Sequence, residues 1–296
     1  MEAPWSKCTE AMALTLFSRL QDEFAAGNIK RKKLVWMELT SCSGNIISLL
    51  NEDYPDVPFL ITDMVEFIYN NSLIVKEGEQ AMDQLFSVLD EDFILAVEGS
   101  VSMKDDGIYT VVGMRDGELL TAYDAVRLLG ERASHIIAVG ACASDGGFSA
   151  ASPNPSESVS VQRVVSKRVI RLPGCPCNPR WFLTTLAYIL LFGEPELDEL
   201  DRPRIVYNAL IHDRCPRRPF FDSGIFATRL GEPTCMFRLG CRGPITRTDC
   251  PIGKWNQRIN WPVQDDTPCI GCAQFGFPDL MEPFISYETT ERGLGR

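Results

Sequence analysis

The sequence predicts an α/β protein, an open doubly wound parallel sheet followed by an irregular, cysteine-rich segment. Three observations carry this expectation. Between residues 33 and 195, short apolar runs alternate with helical stretches, the pattern of a parallel sheet covered by helices. Beyond 195 the alternation stops, and Pro, Gly, Cys and Arg take over. Six of the eleven cysteines and one of only two histidines fall between His212 and Cys272.

Residues 1–32 read as an N-terminal helical extension, a surface or docking helix with Leu14, Phe17, Leu20 and Phe24 at loose helical spacing before a basic patch at Lys30 to Lys33. Cys8 has no ligand-like neighbour and reads as a spare thiol. The first strand is expected at 34–40 (LVWMELT), with a helix over 45–54. A second strand is expected at 59–67 (FLITDMVEF), followed by the helix EGEQAMDQLFSVL, and a third strand at 93–99 (FILAVEG). A helix over 121–133 leads to a fourth strand at 135–142 (HIIAVGAC), a fifth follows at 168–175 (RVIRLPGC), and the apolar helix 180–193 closes the unit. The domains are thus a sheet domain over 33–195 and a C-terminal domain over 196–296, with the acidic GEPELDELDRP as linker.

In a doubly wound sheet the loops at the carboxyl ends of the strands gather at the switch point and make the site. Three such loops each bring cysteine: TSCSGN with Cys42, GACASDGG with Cys142, and LPGCPC with Cys175 and Cys177. Gly44, Gly140, Gly146, Gly147 and Gly174 beside them suit close backbone approach and amide donation to sulfur, or ordinary turns. ASDGG matches neither a dinucleotide-binding fingerprint nor a phosphate loop, so nucleotide binding does not follow.

The chain of 296 residues is 45% apolar, enough for one large or two ordinary domains. Its net charge of −11 argues against a nucleic-acid binder, whose affinity rests on Lys and Arg against phosphate. The start lacks the shape of a secretory signal, and no run approaches the roughly eighteen apolar residues of a spanning helix. A soluble, cytoplasmic protein is therefore expected, with membrane association only through a partner. In that reducing setting eleven cysteines point to metal or cluster ligation rather than disulfides.

The C-terminal ligands fall into groups. His212 and Cys215 share one turn, and Cys235 and Cys241 bracket a short loop, giving one imidazole and three thiolates. Cys250, Cys269 and Cys272 form a group of three. Zinc competes, because Cys3His is a zinc set and CxxC a zinc knuckle. Ligands grouped four, three and three suit iron-sulfur clusters better, since structural zinc closes its shell with four. His135, at the start of a strand, reads as a packed residue rather than a ligand. Arg217 and Arg218 read as screening a cluster, meeting a partner or forming a solvated turn, and Glu98 as facing a partner or bonding locally.

At these residues the chain resembles the small, electron-transferring subunit of nickel-iron hydrogenases of the uptake type. The resemblance runs in one order over about residues 33 to 285: CSGN, VEGSV, GACASDGG, SPNPS, PGCPCNP, HDRCPRRPFFDSG, LGCRGP, DCP with WN, and PCIGCAQFGFPD. It implies a flavodoxin-like domain holding a proximal cluster through Cys42, Cys142 and Cys175. It implies a medial [3Fe-4S] cluster on Cys250, Cys269 and Cys272, and a distal [4Fe-4S] cluster on His212, Cys215, Cys235 and Cys241. The nickel-iron centre would lie in a partner large subunit, so no residue of this chain is catalytic. The chain would conduct electrons from hydrogen oxidation to a quinone, cytochrome or other carrier, and such heterodimers would form a higher oligomer.

One departure stands out. Where the family has a second cysteine in CxxC, this chain has Asn45. A three-iron proximal cluster, a four-iron cluster with Asn45 or water on the last iron, and rescue by Cys177 are all open. Loss of a thiolate removes negative charge and would raise the potential. Two other functions compete with the uptake role: a hydrogen sensor built from the same parts, and a structural zinc protein. A respiratory quinone reductase subunit would lack the His212 and Cys250 to Cys272 groups.

Overall fold

A computed structural model describes residues 9–278, with side chains from residue 13 onward. Cys8 and the polar C-terminal tail lie outside the described residues. The chain divides into two compact units, Met12–Arg204 and one that holds Ile205–Arg296.

The first unit takes in helix α1 (Thr9–Ala25) from Met12 onward and strand β1 (Lys32–Glu38), followed by α2 (Gly44–Leu50). A helical turn, α3 (Val57–Phe59), runs on through Met64 into β2 (Val65–Asn70). Then come α4 (Gly78–Phe86), β3 (Phe93–Glu98), β4 (Val101–Ser102) and a hairpin of β5 (Val111–Arg115) and β6 (Glu118–Thr121). The unit continues through α5 (Ala122–Arg132), β7 (His135–Val139), α6 (Gly140–Asp145), α7 (Gly147–Ala150), β8 (Ser158–Val159), β9 (Ile170–Leu172) and α8 (Pro179–Phe192). Five parallel strands stand in the order β2-β1-β3-β7-β9. This is the flavodoxin-like order, with its switch point between β1 and β3.

Both faces of the sheet are covered, which is why its strands read as near-continuous apolar runs. Val35, Met37, Leu95 and Val97 join Leu85 of α4 and Val126 and Leu129 of α5 in one buried cluster. On the other face Trp36 meets Phe182 of α8 edge-on, with ring centroids 4.7 Å apart. Helix α1 buries Leu16, Phe17 and Leu20, whereas Leu14 is exposed. Phe17 meets Tyr54 edge-on, and Arg19 lies over the Phe192 ring. The acidic stretch read as a linker is ordered: Asp198 pairs with Arg202 at 2.7 Å, and the Asp201 carbonyl accepts from the Arg171 N–H.

Two local expectations are corrected, and one element had no expectation. The run FLITDM is helical, because the Asp56 side chain accepts from the Phe59 N–H at 2.8 Å and Pro58 sits in the first turn, so the second strand starts only at Val65. Cys142 lies in α6 rather than at the end of a strand, because Gly140 at φ 87° turns the chain into a helix straight after Val139. The β5–β6 hairpin was not anticipated; Asp116 and Gly117, both at positive φ, form its turn.

The second unit has little regular structure. Its described elements are short 3-10 turns, α9 (Arg218–Asp222) and α10 (Cys250–Gly253).

Candidate metal centres

In the first unit, the sheet brings three cysteine loops to the carboxyl ends of β1, β7 and β9. Cys42, exposed, follows β1, and a side chain added at Gly44 would stand 3.0 Å from its Sγ and 3.7 Å from Pro176. The loops of Cys42 and Cys175 therefore lie against each other. Cys142 is within electrostatic reach of Cys42, and the backbone N–H groups of Phe148 and Ser149 donate to its sulfur. Burial nevertheless raises the Cys142 thiol, and the Cys42 charge adds to the rise. Ala141 N–H bonds to the Gly174 carbonyl at 2.7 Å, which joins the second loop to the third.

Glu98, fully buried at the end of β3, fixes the first loop. Its Oε1 accepts from the Ser41 hydroxyl at 2.8 Å and the Asn45 N–H at 3.0 Å. Its Oε2 accepts from the Ile46 N–H at 3.1 Å and Trp36 Nε1 at 3.3 Å. Burial raises this carboxyl while the donors from Asn45 and Ser41 oppose the shift. These donors, joined by the Asn45 side chain, address a carboxylate, and they hold the first turn of α2 just beyond Cys42. Glu98 is thus an internal anchor. Cys177 is buried, its Sγ 3.5 Å from the Asn178 carbonyl.

In the second unit, one cleft is lined by His212, Cys215, Cys235 and Cys241 together. It is open to solvent, and the empty space in it, open solvent included, is about 360 Å³. The Ile211 N–H bonds to the Thr246 carbonyl at 2.9 Å and the His212 N–H to the Gly243 carbonyl at 3.2 Å, which sets the histidine turn against the Cys241 loop. A bridge between Phe226 and Cys235 positions the third thiol. Burial raises all three thiols, while N–H groups of Arg217, Phe237 and Gly243 donate to Cys215, Cys235 and Cys241 respectively. The His212 ring packs edge-on against Phe221, with centroids 4.5 Å apart.

Arg217 is buried and bonds to the carbonyls of Glu232 at 2.7 Å and Thr234 at 3.0 Å, and to Asp266. Its charge also lowers the Cys215 and Cys235 thiols, so it both braces the cleft and screens it. Arg218 pairs with Asp213 and Asp222 on the surface.

Cys250, Cys269 and Cys272 form the second group. Burial, with the charge of Cys272 next, pushes Cys250 up to about 12. Cys269 is pushed well above the usual thiol range by burial, then by Cys241 and Cys272. The Thr248 hydroxyl donates to Cys250 Sγ at 3.1 Å, and the Trp255 side chain bonds to the same sulfur. The groups are also linked to each other. The Cys269 N–H donates to Cys241 Sγ, and the Arg242 N–H donates back to the Cys269 carbonyl at 2.7 Å.

Burial disfavours the thiolate at Cys142, Cys215, Cys235, Cys241, Cys250 and Cys269, although each of these sulfurs faces an N–H or O–H donor. Such thiols are costly to charge unless a metal takes the charge up. Among the described residues no three His, Cys, Asp or Glu side chains meet closely enough to hold one metal ion. Thiolates with one imidazole are the donor types that iron-sulfur clusters use. The donor sets fit clusters. His135 is half-buried beside Ser134, at the start of β7, whereas Cys142 follows its end. Of the two roles read for Glu98 the structure shows the local bonding one, whereas sequence reasoning missed the sulfur donors Thr248 and Trp255; only the proximity of TRTDC to a cysteine hinted at the first.

Comparison with known proteins fits this geometry. Residues 207–285 match the family model for the C-terminal part of the NiFe/NiFeSe hydrogenase small subunit. Residues 42–189 match the one described as NADH ubiquinone oxidoreductase, 20 Kd subunit. The chain is 37% identical over 285 residues to the Hydrogenase-2 small chain of Escherichia coli K12, covering 91% of this chain and 75% of that one. It is 34% identical to the periplasmic [NiFe] hydrogenase small subunit of Solidesulfovibrio fructosivorans, covering 86% of this chain and 81% of that one. Its structure is similar to the reduced, active Ni-Fe-Se hydrogenase of Desulfomicrobium baculatum, with a TM-score of 0.83 at 31% identity over 87% of this chain and 99% of that one. These matches overturn the expected cytoplasmic location, since relatives are named periplasmic. Among the described residues no helix is long and apolar enough to cross a membrane, and that property does not specify a compartment.

Proposed function

Because this chain belongs to the family of nickel-iron hydrogenase small subunits, and so serves a hydrogenase whose other half is a large subunit, we propose how its own residues carry the electrons. Iron-sulfur clusters supply one-electron carriers at potentials set by ligand type, hydrogen bonds to sulfur and burial. Cys42, Cys142 and Cys175 hold one centre at the switch point. Cys250, Cys269 and Cys272 hold a three-iron centre, and His212, Cys215, Cys235 and Cys241 a four-iron centre.

The observation that carries this assignment is the cleft lined by the same His and three Cys that group together in the sequence. The link from Cys269 N–H to Cys241 Sγ supports passage between the two C-terminal centres, because a single hydrogen bond separates their ligands. The acceptor reads as a quinone, cytochrome or other carrier, and the heterodimers as forming a higher oligomer.

The test is reduction by hydrogen of the chain purified with its large subunit. Dihydrogen should reduce the clusters and, through them, an artificial dye. His212→Ala should slow dye reduction while leaving hydrogen-deuterium exchange at the large subunit intact. Equal loss of both activities would contradict the assigned role of the cleft.

A further inference from the structure

We propose that Asn45 ties the three strand-end cysteine loops together through its carboxamide and does not bind iron, so that this site offers its cluster three thiolates. The proposal rests on the reading of that site as a cluster site. Asn45 opens α2 and is 9% exposed. Its Oδ1 accepts from the Cys177 N–H at 2.7 Å, in the loop that carries Cys175. Its Nδ2 donates to the Val139 carbonyl at 3.3 Å, at the end of the strand that leads to Cys142, and its side chain also bonds to Glu98. Its backbone N–H goes to Glu98 Oε1. One side chain, three residues after Cys42, thus joins the loops after β1, β7 and β9.

The chemistry of a carboxamide matches this task. It presents a donor and an acceptor side by side, and here they meet the Val139 carbonyl and the Cys177 N–H. A cysteine at this position offers only a weak S–H donor and a weak sulfur acceptor. Ligation of iron by Oδ1 would compete with the Cys177 bond, and carboxamide oxygen suits hard cations rather than iron among thiolates and sulfide. The space is shaped for the carboxamide as well. A Cβ at Gly140 would stand 2.5 Å from Asn45 Nδ2 and 2.6 Å from its Oδ1, and Gly140 has φ 87°. Cys177 is no substitute in this arrangement, because its backbone serves the tie while its Sγ points to the Asn178 carbonyl.

The experiment uses the intact heterodimer. In protein grown on asparagine labelled with 13C at the carboxamide carbon, electron-nuclear double resonance on the strand-end cluster signal should show no contact coupling to 13C. A contact coupling overturns the proposal. Asn45→Ala should keep the iron per heterodimer and the g values of that signal, yet lose this cluster to a chelator about tenfold faster. A changed iron number, shifted g values or an unchanged rate of loss each overturns it, and if Asn45→Ala fails to assemble, the labelled wild type decides. Loss of every cluster signal from the wild type would instead sink the underlying reading of the chain as a cluster carrier.

Discussion

Replacing Thr248 with valine keeps the shape of the side chain and removes the hydroxyl that donates to Cys250 Sγ at 3.1 Å. Cys250 is buried, pushed up to about 12 by burial and by the neighbouring Cys272, so few groups stabilise negative charge on its sulfur. A hydrogen bond to a charged group contributes about 1.5–3 kcal/mol. Only the part that grows when the cluster gains an electron shifts the potential. Taking that part as roughly a third, or about 0.5–1 kcal/mol, the three-iron centre proposed on Cys250, Cys269 and Cys272 should fall by about 20–40 mV, at about 59 mV per tenfold for one electron. The sign is downward, because the donor favours the more negative, reduced state. A potentiometric titration followed by the EPR signal of the oxidised three-iron cluster measures it, and Thr248→Ser should restore the wild-type value. An unchanged or raised potential in Thr248→Val would refute the reasoning.

Glu98→Gln replaces a carboxylate that four donors surround with an amide whose NH2 must face two of them. The cost is about 3 kcal/mol, a fall of about 6–12 °C in the melting of the first unit by calorimetry, and no fall would remove Glu98 as the anchor of the Cys42 loop. Glu52, beside Arg180, is pushed up to about 7 by burial against the pull of that arginine. The folded carboxyl then holds its proton to higher pH than the unfolded one, so stability from this group is full below about 4.5 and lost as pH rises to about 7. Glu52→Gln should flatten the melting temperature across that window, and an identical slope in both proteins would contradict it. Arg217→Gln removes a charge that lowers the Cys215 and Cys235 thiols and a brace on two carbonyls. The four-iron centre proposed in this cleft should drop in potential and lose iron faster, which redox titration and iron release read separately.

Much of this was legible because the chemistry is local. The His and Cys side chains that line the cleft of the second unit lie within short spacings, and a parallel sheet covered on both faces writes its strands as apolar runs such as FILAVE. What escaped had two causes. FLITDM reads apolar whether helical or extended, and the cap at Asp56 with Pro58 decides it; the Asp116-Gly117 turn was likewise a local signal, though a two-residue one. Asn45 and Glu98 could not be read in the same way. Their partners lie 94 and 132 residues away for the carboxamide and 52 to 62 for the four donors to the carboxylate, so only the folded sheet brings them together.

The central claim, that this chain carries electrons through three iron-sulfur centres beside a nickel-iron subunit, is tested most directly by one determination. It is an anaerobic count of iron, acid-labile sulfide, nickel and zinc on the co-purified heterodimer, joined to EPR of the oxidised protein. The expected result is nickel, with iron and sulfide in amounts for three clusters, and a three-iron signal that Cys250→Ser removes. Zinc in place of iron, with no labile sulfide, would contradict it.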